Sequence, residues 1–225
     1  MKLKMFPLLL VIVLAVSAQS AAGAKTFIFP KNFDAANPKQ DLTGVKMVQV
    51  TVGDVKTTNA VTTRILIHHP GNGSAMTESA EGLIWFDLSS IPKETKVTSA
   101  TLSLLCQVHY VGNTKISMQR VLLPWTEKAN WETYDGENKW HKAGGNGKSD
   151  IDLTPEGAVE VPPAGAKMNT WYDFDVTRMV KMWVGGEAPN YGMKSKSTNT
   201  GSVCEFKSAV WSGTNFIKLS ITAEK

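Results

Sequence analysis

Hydrophobic and polar positions alternate along most of this chain, which is the period of a half-buried strand. Val48, Val50 and Val52 alternate in KMVQVTVGD, and Val61, Ile65 and Ile67 share one parity in VTTRILI. Ile84, Phe86 and Leu88 alternate in GLIWFDLS, and Leu102, Leu104, Cys106, Val108 and Tyr110 do so in TLSLLCQVHY. Ile116 and Met118 follow a Gly112-Asn113 turn, and SVCEFKSAV and FIKLSIT supply the last strands. Turn signals at Pro70-Gly71-Asn72-Gly73, Pro92-Lys93, Gly144-Gly145-Asn146-Gly147 and Pro162-Pro163 separate these runs. One stretch breaks the rule. Val176, Met179, Val180 and Trp183 fall at helical spacing, with Asp175 expected as N-cap and Gly185-Gly186 as stop. Many short strands and one short helix predict an all-β fold, an antiparallel β-sandwich with that helix across one end. The stretch 124–170 is long and loop-rich for such a fold, and long loops are where function is often built.

The first 24 residues predict a secretory signal peptide, not structure. Lys2 and Lys4 form a basic start, Leu8 to Val16 a short apolar run, and Ala22-Gly23-Ala24 a small-x-small cleavage site. A transmembrane anchor is the alternative, but the run is too short to span comfortably. Residues 25–225 then form a single secreted domain, not membrane-embedded. The whole chain carries a formal charge of +4, and losing two lysines without any acid leaves +2. That charge gives no footprint for nucleic acid. Export places Cys106 and Cys204 in an oxidising compartment, where they are a possible disulfide; two buried free thiols are the alternative.

Four phrases in order carry a family resemblance. They are FDLSSIP (86–92) with VTSATLSLL (97–105); Val121, Trp125-Thr126-Glu127 and Asn130-Trp131; WYDFDVTRMVKMWV (171–184) with Asn190-Tyr191-Gly192-Met193; and Glu205 in CEFKSA. Together, from Gly82 to Thr222, they resemble the DNRLRE-domain family, also catalogued as carbohydrate-binding module family 96 and related to disaggregatase modules. The resemblance implies a jelly-roll-like sandwich on secreted or surface proteins, and a family that includes alginate-binding modules. Most of the shared residues read as structural. Phe86, Leu88, Trp171, Phe174, Val176 and Trp183 are expected in the core, and Asp87 and Asp175 at turns and helix ends.

Candidate chemistry is aromatic and cationic. Sugar rings present C–H faces that indoles stack against. Trp125, Trp131, Trp171 and Trp183 fall on family positions and are expected inside. Trp85 has outward parity, Trp140 lies in the long loop and Trp211 follows the strand of Glu205, so these three are the expected platforms. Arg64, Arg120 and, by outward parity, His109 are expected to join a binding face, because Arg grips carboxylate with two hydrogen bonds. Arg178 is expected on a solvated helix face. His68-His69 are neighbours on a strand and point apart, which is poor metal geometry. Asp135/Glu137, Asp150/Asp152 and Asp173/Asp175 offer oxygen ligands for a structural calcium, though no loop has a defined ligand spacing. Asn72-Gly73-Ser74 is a glycosylation sequon, relevant only in a eukaryotic secretory pathway.

No nucleophile elbow, zinc-protease motif or phosphate loop is present. The expected function is therefore a secreted, non-catalytic carbohydrate-binding module for an acidic, alginate-like extracellular polysaccharide. A structural surface or matrix module that binds proteins is the first alternative. A small polysaccharide lyase or hydrolase, for which His109, Tyr110 and Arg120 could be nominated, is the second.

Overall fold

The alternation resolves into strands in a computed structural model, which describes residues 23–31, 43–52, 64–69, 79–109, 114–162, 169–197, 202–207 and 217–224. The elements are β1 (Lys25–Phe29), β2 (Val45–Thr51), β3 (Arg64–His69), β4 (Ala80–Phe86), β5 (Val97–His109), β6 (Thr114–Arg120), β7 (Glu156–Val161), β8 (Thr170–Asp175), α1 (Thr177–Val184), β9 (Met193–Ser197), β10 (Ser202–Lys207) and β11 (Ile217–Ala223). Most of the expected signal segment, Trp211, the Asn72 sequon and the turns at 70–73 and 112–113 lie outside the described residues.

The pairings among these strands are antiparallel, and they form an all-β sandwich. One sheet runs β1-β11-β5-β8, and the other is β2-β4-β9-β6-β7. The pair β10–β3 links them, through β5 on one side and β4 on the other. The expected parity is the cause. Ile84 and Phe86, Leu102 and Leu104, Ile116 and Met118, and Leu219 and Ile221 all point between the sheets and are buried. Phe174 and Phe206 meet edge to face in that core, with ring centroids 6.4 Å apart, and Tyr172 meets Phe206 in the same way at 6.3 Å.

The helix buries Met179, Val180, Trp183 and Val184 and packs against β5. Its N-cap is Val176, which has no side-chain cap, where the sequence pointed to Asp175. The first turn is satisfied from elsewhere. Asp175 Oδ1 accepts from Thr177 N at 3.0 Å, and Glu156 Oε2, reaching over from β7, accepts from Met179 N at 3.1 Å. Asp87 ends its strand in the expected way, accepting from Ser89 N at 2.9 Å. Among the described residues no helix is long and apolar enough to cross a membrane.

Strand β4 is covered on both faces along almost its whole length. Val48, Val50 and Leu83 turn outward from the main core, into a second cluster with Val121, Trp125, Ala129, Trp140 and Ile151. The loop-rich stretch after β6 supplies that cover. It has little ladder of its own, so side chains satisfy its backbone. Asn130 Oδ1 accepts from Glu132 N and Thr133 N, and Asp135 Oδ1 from Glu137 N and Asn138 N.

Cys106 and Cys204 are buried side by side and not joined as a disulfide in the structure, with Sγ atoms in hydrogen-bond contact at 3.4 Å. Their hydrogen bond and their burial push the Cys204 thiol well above its ordinary value.

Replacing Phe174 by Ala empties a fully buried ring site and removes its edge-to-face contact with Phe206. Urea unfolding should show a loss of about 3–5 kcal/mol. A loss below about 1 kcal/mol would contradict this packing.

Candidate functional site

The loop cover meets the sheet at a cleft of about 160 Å³, lined by Lys46, Trp85, Pro124, Trp125, Asn190 and Tyr191. Strand pairing builds its floor. Lys46 on β2 is directly opposite Trp85 on β4, so both side chains leave the same face. The Lys46 ammonium lies 4.8 Å from the Trp85 ring centroid. Trp85 Nε1 donates to Asn190 O at 3.0 Å, and Trp125 Nε1 donates to Tyr191 O. Asn190 Nδ2 donates to Phe86 O at 2.9 Å, and its Oδ1 accepts from Gly192 N at 3.0 Å. The indole and amide polar atoms are thus committed to the frame, which leaves ring faces and one cation for a ligand. Chemically this is a small amphipathic cleft, of a size for a single sugar ring.

A buried cation holds the cover in place. Lys194 on β9 is fully buried and pairs with Glu81 on β4. Its Nζ also donates to Gly144 O, to Gly145 O at 3.3 Å and to Asn146 Oδ1 at 2.9 Å. Burial holds the ammonium below the usual lysine range, against the opposing pull of Glu81. The carbonyls can turn inward because Gly144 and Gly145 adopt φ of +74° and +66°. Neither position has room for a side chain. A Cβ on Gly144 would lie 2.6 Å from the Trp131 ring, and one on Gly145 would lie 3.0 Å from the Trp140 ring.

Asp150 fixes the same loop from the other side. It is fully buried. Its carboxylate accepts from His141 N, Lys142 N and Gly147 N at 2.8–2.9 Å, and contacts His141 Nδ1 at 3.0 Å. Burial pushes its pKa up, but the hydrogen bonds from His141, Lys142 and Gly147 outweigh this and leave it lowered.

A wider open groove of about 610 Å³ runs beside α1, lined by Glu156, Asp175, Arg178 and Lys181 among others. Burial raises Glu156 above its ordinary value, whereas hydrogen bonds from Thr177 lower Asp175. Arg178 bridges Glu156 at 2.9 Å and Asp152 at 3.2 Å.

The structure distributes the expected site residues unevenly. Trp85 is at the cleft, half-buried rather than open, because the loop covers part of it. Trp140 is not a surface platform: it is only 5% exposed, and its Nε1 donates to Asn130 O at 2.9 Å. The loop cluster folds over it and uses it as the wall behind Gly145. Arg120 sits beside Asp152, 3.4 Å away, and its side chain is largely covered. Arg64 and His109 lie on the β3–β10–β5 ladder, opposite Lys207 and Cys204 in register. Their side chains, like Trp211, lie outside the description. Trp171, expected inside, is 39% exposed beside Lys218. It shares parity with Asp173 and Asp175 on β8, a signal present in the sequence. The expected calcium ligands have internal partners: Asp135 and Asp150 cap turns, and Asp152 is paired with arginines. Among the described residues no three metal-type side chains converge.

Sequence reasoning missed Lys46 and Tyr191. Tyr191 belongs to a phrase that carried the family resemblance, and Lys46 acquires meaning only through its pairing with Trp85. It also missed Lys194 and Glu81, because a buried lysine has no sequence signature.

A family model described as the disaggregatase related repeat domain matches residues 56–221. Among curated proteins, none matches the chain.

Asp150→Asn keeps the side-chain shape but turns one of the two oxygens that accept from His141 N, Lys142 N and Gly147 N into an NH2 group that cannot accept. At pH 7 the variant should be less stable by about 1–3 kcal/mol. Because the folded carboxyl titrates below its ordinary 3.8, its contribution is present above that value and is lost as pH falls through the folded pKa. Denaturant titrations from pH 7 to pH 3 should show the gap between wild type and variant closing. A gap constant across that range would contradict the assignment.

Proposed function

The chain belongs to the disaggregatase related repeat domain family, and from that membership and the aromatic cleft we propose that it binds an extracellular polysaccharide without cleaving it. The observation that carries this reading is the convergence of Trp85, Tyr191, Pro124 and Trp125 around Lys46 and Asn190. A sugar ring stacks its C–H face on the exposed part of Trp85 and Tyr191. Lys46 exchanges its contact with the indole for the carboxylate of an acidic, alginate-like sugar. An exposed lysine gives a salt-sensitive attraction, so retention should weaken at high ionic strength. The leader-like N-terminus supports export, which would bring the cleft to such a polymer.

A hydrolase reading has one observation in its favour. Glu156 and Asp175 line one groove with pKa values displaced in opposite directions, the pattern of an acid and its ionised partner. Both carboxylates are already engaged, however. Glu156 receives Met179 N and Arg178, and Asp175 receives Thr177 N, so their work is to start the helix.

Affinity gels of alginate, chondroitin-like and neutral polysaccharides at two salt concentrations test the proposal. The wild type should be retained on an acidic gel, and Tyr191→Ala should weaken retention about tenfold. Lys46→Ala should remove most of the salt dependence. Trp171→Ala, on another face, should leave retention unchanged. Retention that survives Tyr191→Ala, or a folded wild type held by no gel, would refute the cleft. Release of reducing or unsaturated ends would favour the hydrolase or lyase reading instead.

A further inference from the structure

The cradle of Lys194 contains a nucleophile, an electrophile and a proton carrier, each in hydrogen-bond reach of the others. Lys194 Nζ is 2.9 Å from Asn146 Oδ1 and is paired with Glu81. Asn146 Nδ2 donates to Glu81 Oε2 at 3.3 Å. Lys196, two residues along the same strand and therefore on the same face, donates its Nζ to Asn146 Oδ1 at 3.2 Å. The amide orientation is thus set: its oxygen faces two ammonium groups and its nitrogen faces the carboxylate.

We propose that Lys194 and Asn146 join in an intramolecular isopeptide bond, with Glu81 as the proton carrier and Lys196 as the group that polarises the amide.

The ion pair first collapses, as a proton passes from the Lys194 ammonium to the Glu81 carboxylate. The lone pair on Nζ then attacks Cγ of Asn146, and Lys196 stabilises the negative charge that grows on Oδ1. Glu81 passes its proton to Nδ2 and takes one from Nζ. The Cγ–Nδ2 bond breaks and ammonia leaves. The products are a secondary amide between residues 146 and 194, one ammonia, and Glu81 as a neutral acid. No oxidant or co-reactant is consumed. Two buried charges become two neutral groups, which removes the cost of keeping an ion pair out of water. Burial favours the first step, since it holds the Lys194 ammonium below the usual lysine range.

A competing loss of ammonia exists at an Asn-Gly pair, where the Gly147 nitrogen would attack the same carbon to give a succinimide. Here that N–H is occupied, donating to Asp150 Oδ2 at 2.8 Å. The backbone nitrogen is held by the carboxylate while the lysine faces the amide.

Mass spectrometry of the purified, folded protein tests this. The intact mass should be lower than the sequence mass of the observed chain by one ammonia. Protease digestion should yield one branched peptide carrying residues 146 and 194, and Lys194 should stay unlabelled by an amine-acylating reagent after denaturation. Glu81→Gln should restore the full mass and free Lys194 for labelling. Asn146→Asp should lose water instead and end at the same cross-linked mass as the wild type. If Glu81→Gln fails to fold, the wild-type peptide map and Asn146→Asp still decide the matter. A folded wild type at its full sequence mass would overturn the proposal. So would a loss of ammonia with Lys194 free to label, since that identifies a succinimide.

Discussion

Lys194 is the constraint on which the half of the fold around the candidate cleft depends. A fully buried ammonium is tolerated only when it is paired and its donors are satisfied. Glu81 supplies the charge, and Gly144, Gly145 and Asn146 supply the oxygens. These partners come from a central strand and from a loop that has almost no ladder of its own. Satisfying one lysine therefore ties the loop to the sheet. Once tied, the loop seals the outer face of β2 and β4 with Trp125, Trp140 and Ile151. It also brings Pro124 and Trp125 to the edge of Trp85, where the sheet contributes Lys46. The cleft is a consequence of the cradle.

The two glycines have a specific part in this arrangement. Positive φ at both turns their carbonyls toward Lys194, and the Trp131 and Trp140 rings fill the space that side chains would occupy. This recasts the tryptophan-rich loop. Trp131 and Trp140 back the turn that holds the cation, and Trp125 pins Tyr191 through its indole N–H. Among the described tryptophans, Trp171 is exposed, Trp85 and Trp131 are half-buried, and Trp125, Trp140 and Trp183 are buried.

The core strands were legible in the sequence because one face of each is apolar. β2, β4, β5, β6 and β11 follow the parity of their valines, isoleucines and leucines, and the helix follows the spacing of Met179, Val180 and Trp183. β9 was not legible. Its sequence MKSKS has the look of a solvated strand, yet Lys194 and Ser195 are fully buried because the loop covers one side and the sheet the other. The candidate site was legible only in part. Outward parity identified Trp85, but the same parity argument, applied to β8, would have placed Trp171 outside rather than in the core. Trp140 was misplaced because a loop position says nothing about what folds over it. Lys46 and Glu81 depend on which strands pair, and pairing is a long-range property that alternation cannot supply.

Hydrogen exchange of a Lys194→Met variant tests the central claim most directly. Met fills similar volume and removes the Nζ atom with every bond it makes to Glu81, Gly144, Gly145 and Asn146, so the β1-β11-β5-β8 sheet should keep its protection. The account predicts that amides from 121 to 151 lose protection selectively, Gly144–Asp150 most of all. Protection of that segment equal to wild type, in a folded variant, would contradict a loop held down by Lys194.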